Sequence, residues 1–162
     1  MPKVIAVCGV KNSGKTTLIR RLTEYFAGKG LRVAVIKHDG HDFTCDIPGT
    51  DTWQFTEAGA YASACFSDQR VFIHRRGSDI REKELIRLFP EADIIFLEGL
   101  KGSDYPKIEV IRKENGNAPV SNPIGRFLIA TDRDPAGFAE KTRTPEDIPG
   151  IAAAIDAFFA EN

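Results

Sequence analysis

The chain has 162 residues, 42% hydrophobic and 28% charged, with a formal net charge of -1. This length suits one compact α/β domain spanning 1–162, and the composition is that of an ordinary soluble fold. The near-neutral balance supplies no basic field for nucleic acid or an anionic membrane, and no apolar stretch nears the ~20 residues that span a bilayer.

The chain opens on "MPKVIAVCGVKNSGKTT". Its apolar run is short, has no cleavage site after it and does not read as a leader peptide. "KVIAVCG" reads as a buried parallel strand, with Cys8 as a small core residue. "KTTLIRRLTEYFAGKG" is an amphipathic helix with Leu18, Leu22, Tyr25 and Phe26 on one face, ended by Gly28 and Gly30. "RVAVIKH" is the second strand. A polar loop follows from Asp39 to about Thr50, then a short helix in "TDTWQFTEAGA" ended by Gly59. "YASACFS" and "RVFIHRR" form two strands, a hairpin around Asp68-Gln69. "REKELIRLF" is a helix stopped by Pro90. "ADIIFLEG", "KIEVIRK" and "RFLIATD" are three further strands, and the turn-rich "KENGNAPVSNPIG" between the last two is a surface loop. "IPGIAAAIDAFFAE" closes the chain as a helix with Ile151, Ile155, Phe158 and Phe159 inward. Cys8, Cys45 and Cys65 follow no paired spacing, which reads as reduced thiols in a cytoplasmic protein.

The β-α-β start and the apolar strands predict an α/β fold with a mostly parallel sheet and helices on both faces. Gly9 to Thr16 matches G-x-x-x-x-G-K-[ST] in full, between a strand and a helix as that motif requires. This predicts a P-loop NTPase three-layer sandwich. Gly9, Lys11, Asn12, Ser13, Gly14, Lys15, Thr16 and Thr17 are the candidate triphosphate-binding residues. Glycines let the backbone turn its N–H groups toward phosphate oxygens, and the helix directs its positive end there. Lys15 is placed to reach the β and γ phosphates, and the Thr16 hydroxyl to ligate Mg²⁺.

Glu98 follows four apolar residues at a strand end, where an acid can hold Mg²⁺ through water; the alternative is a solvated acid. Lys15 and Glu98 are the catalytic candidates. The segment "IKHDGHDFTCDIPGTD" gathers Lys37, His38, His41 and Asp51 at the carboxyl end of the second strand, where open α/β sheets bind ligands. Lys37 is a candidate for an anionic group and Asp51 for the Mg²⁺ shell. His38 and His41 are candidates for accepting a proton or bonding the nucleotide. The spacing of His38, His41 and Cys45 matches no standard zinc pattern.

"GVKNSGKTT", "VIKHDGHDF", "DIPGTDTWQFTEAGA" and "DIIFLEGLK" together resemble the MobB family, the molybdopterin-guanine dinucleotide biosynthesis adapter proteins, over nearly the whole chain. The resemblance implies a GTP-binding protein with weak Mg²⁺-dependent GTPase activity, a homodimer, acting beside the molybdenum cofactor guanylyltransferase and near molybdopterin. It implies triphosphate binding at Gly9 to Thr17 and a Mg²⁺ role for Thr16 and Glu98. In "ATDRD", Thr131 and Asp132 stand where many GTP-binding proteins carry Asn and Lys, while Asp134 keeps the acid. Asp132 and Asp134 are therefore candidates for guanine, whose N1–H and N2–H₂ a carboxylate can accept; Asp134 also reads as a helix cap before Pro135. Two other classes compete. One is an ATP-dependent small-molecule kinase, or a ligase similar to dethiobiotin synthetase, with parallels in Gly9 to Thr16, Lys37 and Glu98-Gly99. The other is a regulatory switch protein. The arginines of "HRRGSDIREKE" lie between a strand and a helix rather than in an inserted lid, which favours the adapter.

Overall fold

The computed structural model describes residues 2–77, 80–115 and 118–161. Ser78 and Asp79 of the arginine-bearing stretch, and Gly116 and Asn117 of the turn-rich loop, lie outside the described residues. In chain order the elements are β1 (Lys3–Cys8), α1 (Lys15–Gly28), β2 (Val33–Lys37), α2 (Asp51–Glu57), β3 (Ala62–Phe66), β4 (Val71–Arg75), α3 (Glu82–Arg87), β5 (Ile94–Glu98), β6 (Lys107–Ile111), β7 (Arg126–Thr131), a 3-10 turn (Pro135–Gly137), β8 (Lys141–Arg143) and α4 (Ile148–Glu161). The chain divides into two compact units, residues 1–38 with 85–162, and residues 39–84.

The first unit is built on a six-stranded sheet in the order β2-β5-β1-β6-β7-β8. Every pairing in it is parallel. β1 lies between β5 and β6, so its "KVIAVC" run is covered on both faces, as the unbroken apolar character requires. Side chains alternate across the sheet. Ile5, Val7, Ile94, Phe96, Ile108, Val110, Leu128 and Ala130 face Leu18, Ile19, Leu22 and Phe26 of α1 and Ile151, Ala152 and Ile155 of α4. Ala6, Cys8, Ile36, Ile95 and Leu97 face the other way, against Leu85 and Ile86 of α3 and Leu100 and Tyr105. Helices therefore cover both faces. Tyr25 and Phe159 pack at the margin of the first cluster, and Phe158 stacks on Phe127 at 4.5 Å.

β6 departs from the pattern its sequence suggests. "KIEVI" alternates polar and apolar residues, yet all five are buried. The charges are met internally. Glu109 accepts hydrogen bonds from Val120 N (2.5 Å), Ser121 N (3.1 Å) and Ser121 Oγ (2.6 Å) and pairs with Arg126 at 3.4 Å. Lys107 Nζ donates to the Ile124 carbonyl. Burial holds the Lys107 ammonium below the ordinary lysine range, with nearby Cys8, Asp104 and Glu109 opposing the shift and Arg126 adding to it. These bonds fasten the described part of the loop after β6 onto the sheet. β8 has no apolar run to announce it, because "KTR" is polar and pairs with β7 along its backbone; the 3-10 turn falls where Asp134 reads as a helix cap before Pro135.

The second unit holds the loop 39–50, α2 and the antiparallel hairpin β3–β4. The hairpin closes between Phe66 and Val71, with Ser67 N donating to Arg70 O at 2.8 Å. Thr56 of α2 and His74 Nδ1 of β4 lie 3.0 Å apart, joining helix to hairpin. Arg75 pairs with Glu84 at 3.6 Å and Arg76 with Glu57 at 3.7 Å, so both arginines belong to a charged surface. Among the described residues, no helix is long and apolar enough to cross a membrane.

Glu109→Ala leaves the Val120 and Ser121 amides and the Ser121 hydroxyl without this acceptor and removes one of the two carboxylates beside Arg126. A loss of roughly 3–5 kcal/mol is expected in urea unfolding, as for a broken buried ion pair; an unchanged midpoint would show that the loop is held by other means.

Candidate functional site

The site forms where β1 stops and α1 begins. Val10 to Asn12 turn back on themselves, with Ser13 N donating to Val10 O at 3.3 Å and Asn12 at φ +61°. Gly9 sits at φ +143°, and a Cβ there would meet Val110 O at 2.5 Å and Ser13 Oγ at 2.6 Å. Only glycine fits both the conformation and the space. Gly14 is the N-cap of α1, with no side-chain capping bond, and the first turn carries no acid. The leading N–H groups of α1 thus lack intrahelical acceptors and meet no capping side chain, which is how a helix presents itself to an anion.

Lys15 Nζ curls over the loop and donates to Val10 O at 2.7 Å. Ser13 Oγ is fully buried and has no hydrogen-bond partner among the described residues, an orphaned group inside the cradle. Lys11, Asn12, Thr16 and Thr17 are exposed around it. The Thr16 hydroxyl donates to Glu98 Oε1 at 2.9 Å. Glu98 is buried at the end of β5, opposite Val7 of β1 and Lys37 of β2 in register. A hydroxyl and a carboxylate so close, beside an uncapped helix start, fit a cation held partly by the protein and partly by phosphate, as Mg²⁺ prefers. No group of three or more His, Cys, Asp or Glu placed to hold a metal occurs among the described residues.

Gly99, just past Glu98, is at φ +100°, and a Cβ would lie 3.3 Å from the His38 carbonyl. His38 N donates to Glu98 O at 3.0 Å, so the end of β2 is pinned against the end of β5. Lys37 and His38 are exposed there. His41 and Asp51 belong to the second unit. His41 N donates to Asp39 Oδ1 at 3.3 Å, and Asp51 is the first residue of α2, its charge at the positive helix end.

Cys8 lies beneath the loop, its thiol donating to Gly99 O at 3.0 Å. Burial, then the Glu109 charge, pushes the thiol up to about 11, while Lys107, Lys15 and Arg126 oppose.

On the β7 side, Asp132 accepts from Lys113 N at 2.8 Å and pairs with Arg112 at 3.4 Å. Its burial alone would raise the carboxyl, but the Lys113 amide and the Arg112 guanidinium outweigh that and hold it below the usual range. Asp134 caps the 3-10 turn, accepting from Ala136 N at 3.0 Å. Two residues outside every motif join them. Arg112 pairs with Glu146 at 3.1 Å as well as with Asp132, and Asn115 Nδ2 donates to Asn12 O at 2.7 Å. The one sequence signal for this pair is position, past the carboxyl end of a strand next to β1.

An all-parallel sheet, a glycine loop feeding an uncapped helix, and an acid at the adjacent strand end define an α/β protein of the P-loop NTPase type. A model of the family described as "MobB: Molybdopterin guanine dinucleotide synthesis protein B" matches residues 4–132, and the chain belongs to that family. The molybdopterin-guanine dinucleotide biosynthesis adapter protein of Escherichia coli (strain K12) is 30% identical over 158 residues, 94% of this chain and 90% of that one. The crystal structure of Bacillus subtilis MobB superposes with a TM-score of 0.74 at 24% identity, over 99% of this chain and 97% of that one. A MobB homologue from Bacillus stearothermophilus gives 0.73 at 23% identity, over 96% and 99%. The two solved structures are similar in fold.

Cys8 supplies a check on the floor of the site. A thiol reagent at pH 8 is expected to modify the exposed Cys45 and Cys65 quickly and the buried Cys8 slowly. With its folded value raised from 9.0 to about 11, the stability Cys8 contributes is full below pH 9 and is lost as pH rises through 11. Three equally fast thiols would contradict this burial.

Proposed function

We propose that this chain is a GTP-binding adapter protein in molybdopterin guanine dinucleotide synthesis, assisting the guanylyltransferase that joins molybdopterin to the guanine nucleotide. The observation that carries the reading is the uncapped start of α1 inside the glycine loop, with Lys15 above it and the Thr16–Glu98 pair beside it. Membership of a family described by molybdopterin guanine dinucleotide synthesis supports assigning this loop to that synthesis. On this reading the loop N–H groups and Lys15 hold the β and γ phosphates, the Lys15 ammonium exchanging Val10 O for phosphate oxygen. Thr16 and Glu98 hold Mg²⁺, which neutralises charge between those phosphates when bound. Lys37 and His38 stand at the same strand ends for the second anionic partner, a pterin phosphate. His41 and Asp51 lie in the second unit, and on this reading the working protein is a cytoplasmic homodimer.

Hydrolysis is slow on this reading. Arg112, an arginine beside the loop, is tied to two carboxylates, which lessens what it can give a γ-phosphate. A correctly placed arginine accounts for roughly 10³ to 10⁵ in rate. Turnover well below one per second is expected from the purified protein in a phosphate-release assay. Turnover at tens per second without a partner would favour the kinase or ligase class instead.

Calorimetry with Mg²⁺ tests the ligand. GTP is expected to bind more tightly than ATP. Lys15→Ala should weaken it roughly tenfold to a hundredfold, in line with one charge-assisted contact of about 1.5–3 kcal/mol. Glu98→Gln should weaken binding chiefly when Mg²⁺ is present. Asp134→Ala separates its two readings: equal affinity for GTP and ATP makes it the base reader, and an unchanged preference leaves it the cap of the 3-10 turn. Tighter binding of ATP than GTP by the natural protein would sink the GTP assignment.

A further inference from the structure

The loop between β1 and α1 has two flanks that differ in chemistry. On the β5 side stand Thr16 and Glu98, the pair suited to Mg²⁺. On the β6 and β7 side stand Arg112, Asn115 and Asp132. Held by Thr16 and Glu98, Mg²⁺ would neutralise charge on the β and γ phosphates of a bound nucleotide. On the triphosphate reading, a cation at Thr16 and Glu98 would draw the γ end to that flank, and the nucleoside would leave the loop on the other, past β6 and β7.

Arg112 stands on that path. A Cβ built on Gly14, the N-cap of α1, would lie 3.8 Å from both Nε and Nη2 of its guanidinium. The side chain is 25% exposed. Its Nη1 faces Asp132 Oδ2 at 3.4 Å and its Nη2 donates to Glu146 Oε1 at 3.1 Å. Asp132 is itself fixed by the Lys113 amide. Asn115 then ties the next turn of chain to the loop through Asn12 O.

These bonds determine what Arg112 can offer. A guanidinium facing two carboxylates is a weakened partner for a phosphate, because its charge is already compensated and two of its five N–H donors are engaged. Its flat face is engaged by neither carboxylate, and such a face stacks on aromatic rings. We propose that Arg112 is a base-contacting residue of the triphosphate site, its guanidinium plane held by Asp132 and Glu146 against one face of the bound purine. This rests on the reading of Gly9 to Thr17 as a triphosphate site. Arg112 adds affinity for the nucleoside without touching the phosphates. Asp132 is then a positioning residue, acting through Arg112 rather than accepting from guanine. Stacking is blind to the exocyclic groups of the purine, so Arg112 supports GTP and ATP alike.

The test compares GTP, ATP and inorganic tripolyphosphate, all with Mg²⁺, by calorimetry on the full chain. Arg112→Lys is the main variant, since it keeps a cation for Asp132 and Glu146 and removes the flat face. Its affinities for GTP and ATP should fall together by roughly threefold to thirtyfold, the range of a cation over an aromatic ring. Its affinity for tripolyphosphate should stay within twofold, and its unfolding midpoint without ligand should be unchanged. Arg112→Ala should lose at least as much for GTP. The proposal is overturned if Arg112→Lys binds GTP as the natural protein does. It is equally overturned if tripolyphosphate affinity falls in step with GTP, which would make Arg112 a phosphate contact or a prop for the loop. A natural protein that binds tripolyphosphate as tightly as GTP keeps its triphosphate site and loses this assignment. One that binds neither loses the triphosphate reading itself, and Arg112 with it.

Discussion

The approach of β1 to β6 is the constraint on which the site depends. The two strands pair through Cys8 and Glu109, and immediately beyond, the backbone of Gly9 passes so near Val110 O that no side chain fits. That closeness turns the chain sharply enough for α1 to start beside the end of the sheet with its N–H groups uncovered. β5 does the same from the other side, bringing Glu98 level with Val7 and within reach of Thr16. The strand pairings that bury the core thus also set the distance between the helix start and the acid. A defect in sheet register would appear first as a misplaced carboxylate.

The division of labour around the loop follows from strand order. β5 and β2 carry the groups suited to a cation and to further anions, Glu98 and Lys37, while just past β6 and β7 Arg112 and Asp132 engage each other, and Asp132 also accepts a backbone amide. One side of the loop can take up charge, and the other is internally balanced. A triphosphate with a neutral base has the same asymmetry along its length.

Much of this was legible in the sequence because local chemistry dictates it. The Gly9 to Thr17 spacing, the apolar strand before it and the acid after "IIFL" all obey short-range rules, and the helices end near the residues that composition suggests. Three features resisted for physical reasons. Lys107 and Glu109 look like the wet face of a strand, since a single sequence does not show which loop will fold over them. β8 has three polar residues and joins by backbone bonds, which leave no hydropathy signature. Arg112 and Asn115 are ordinary residues in a polar stretch, and their meaning comes from strands adjacent in space and distant in sequence. Asp134 was legible both ways, as a base reader and as a cap, and the cap is the bond its carboxylate makes here.

The buried carboxylate of Glu109 has a bearing on motion. It is 1% exposed and receives two amides and a hydroxyl from Val120 and Ser121. For that stretch of loop to swing outward, a bare anion would have to remain in the sheet interior, or water would have to follow it in. Residues 120 and 121 lie in no helix or strand, yet thermodynamically they belong to the core, and they part from it only when the core itself opens. That stretch of loop is therefore a fixed post against β6.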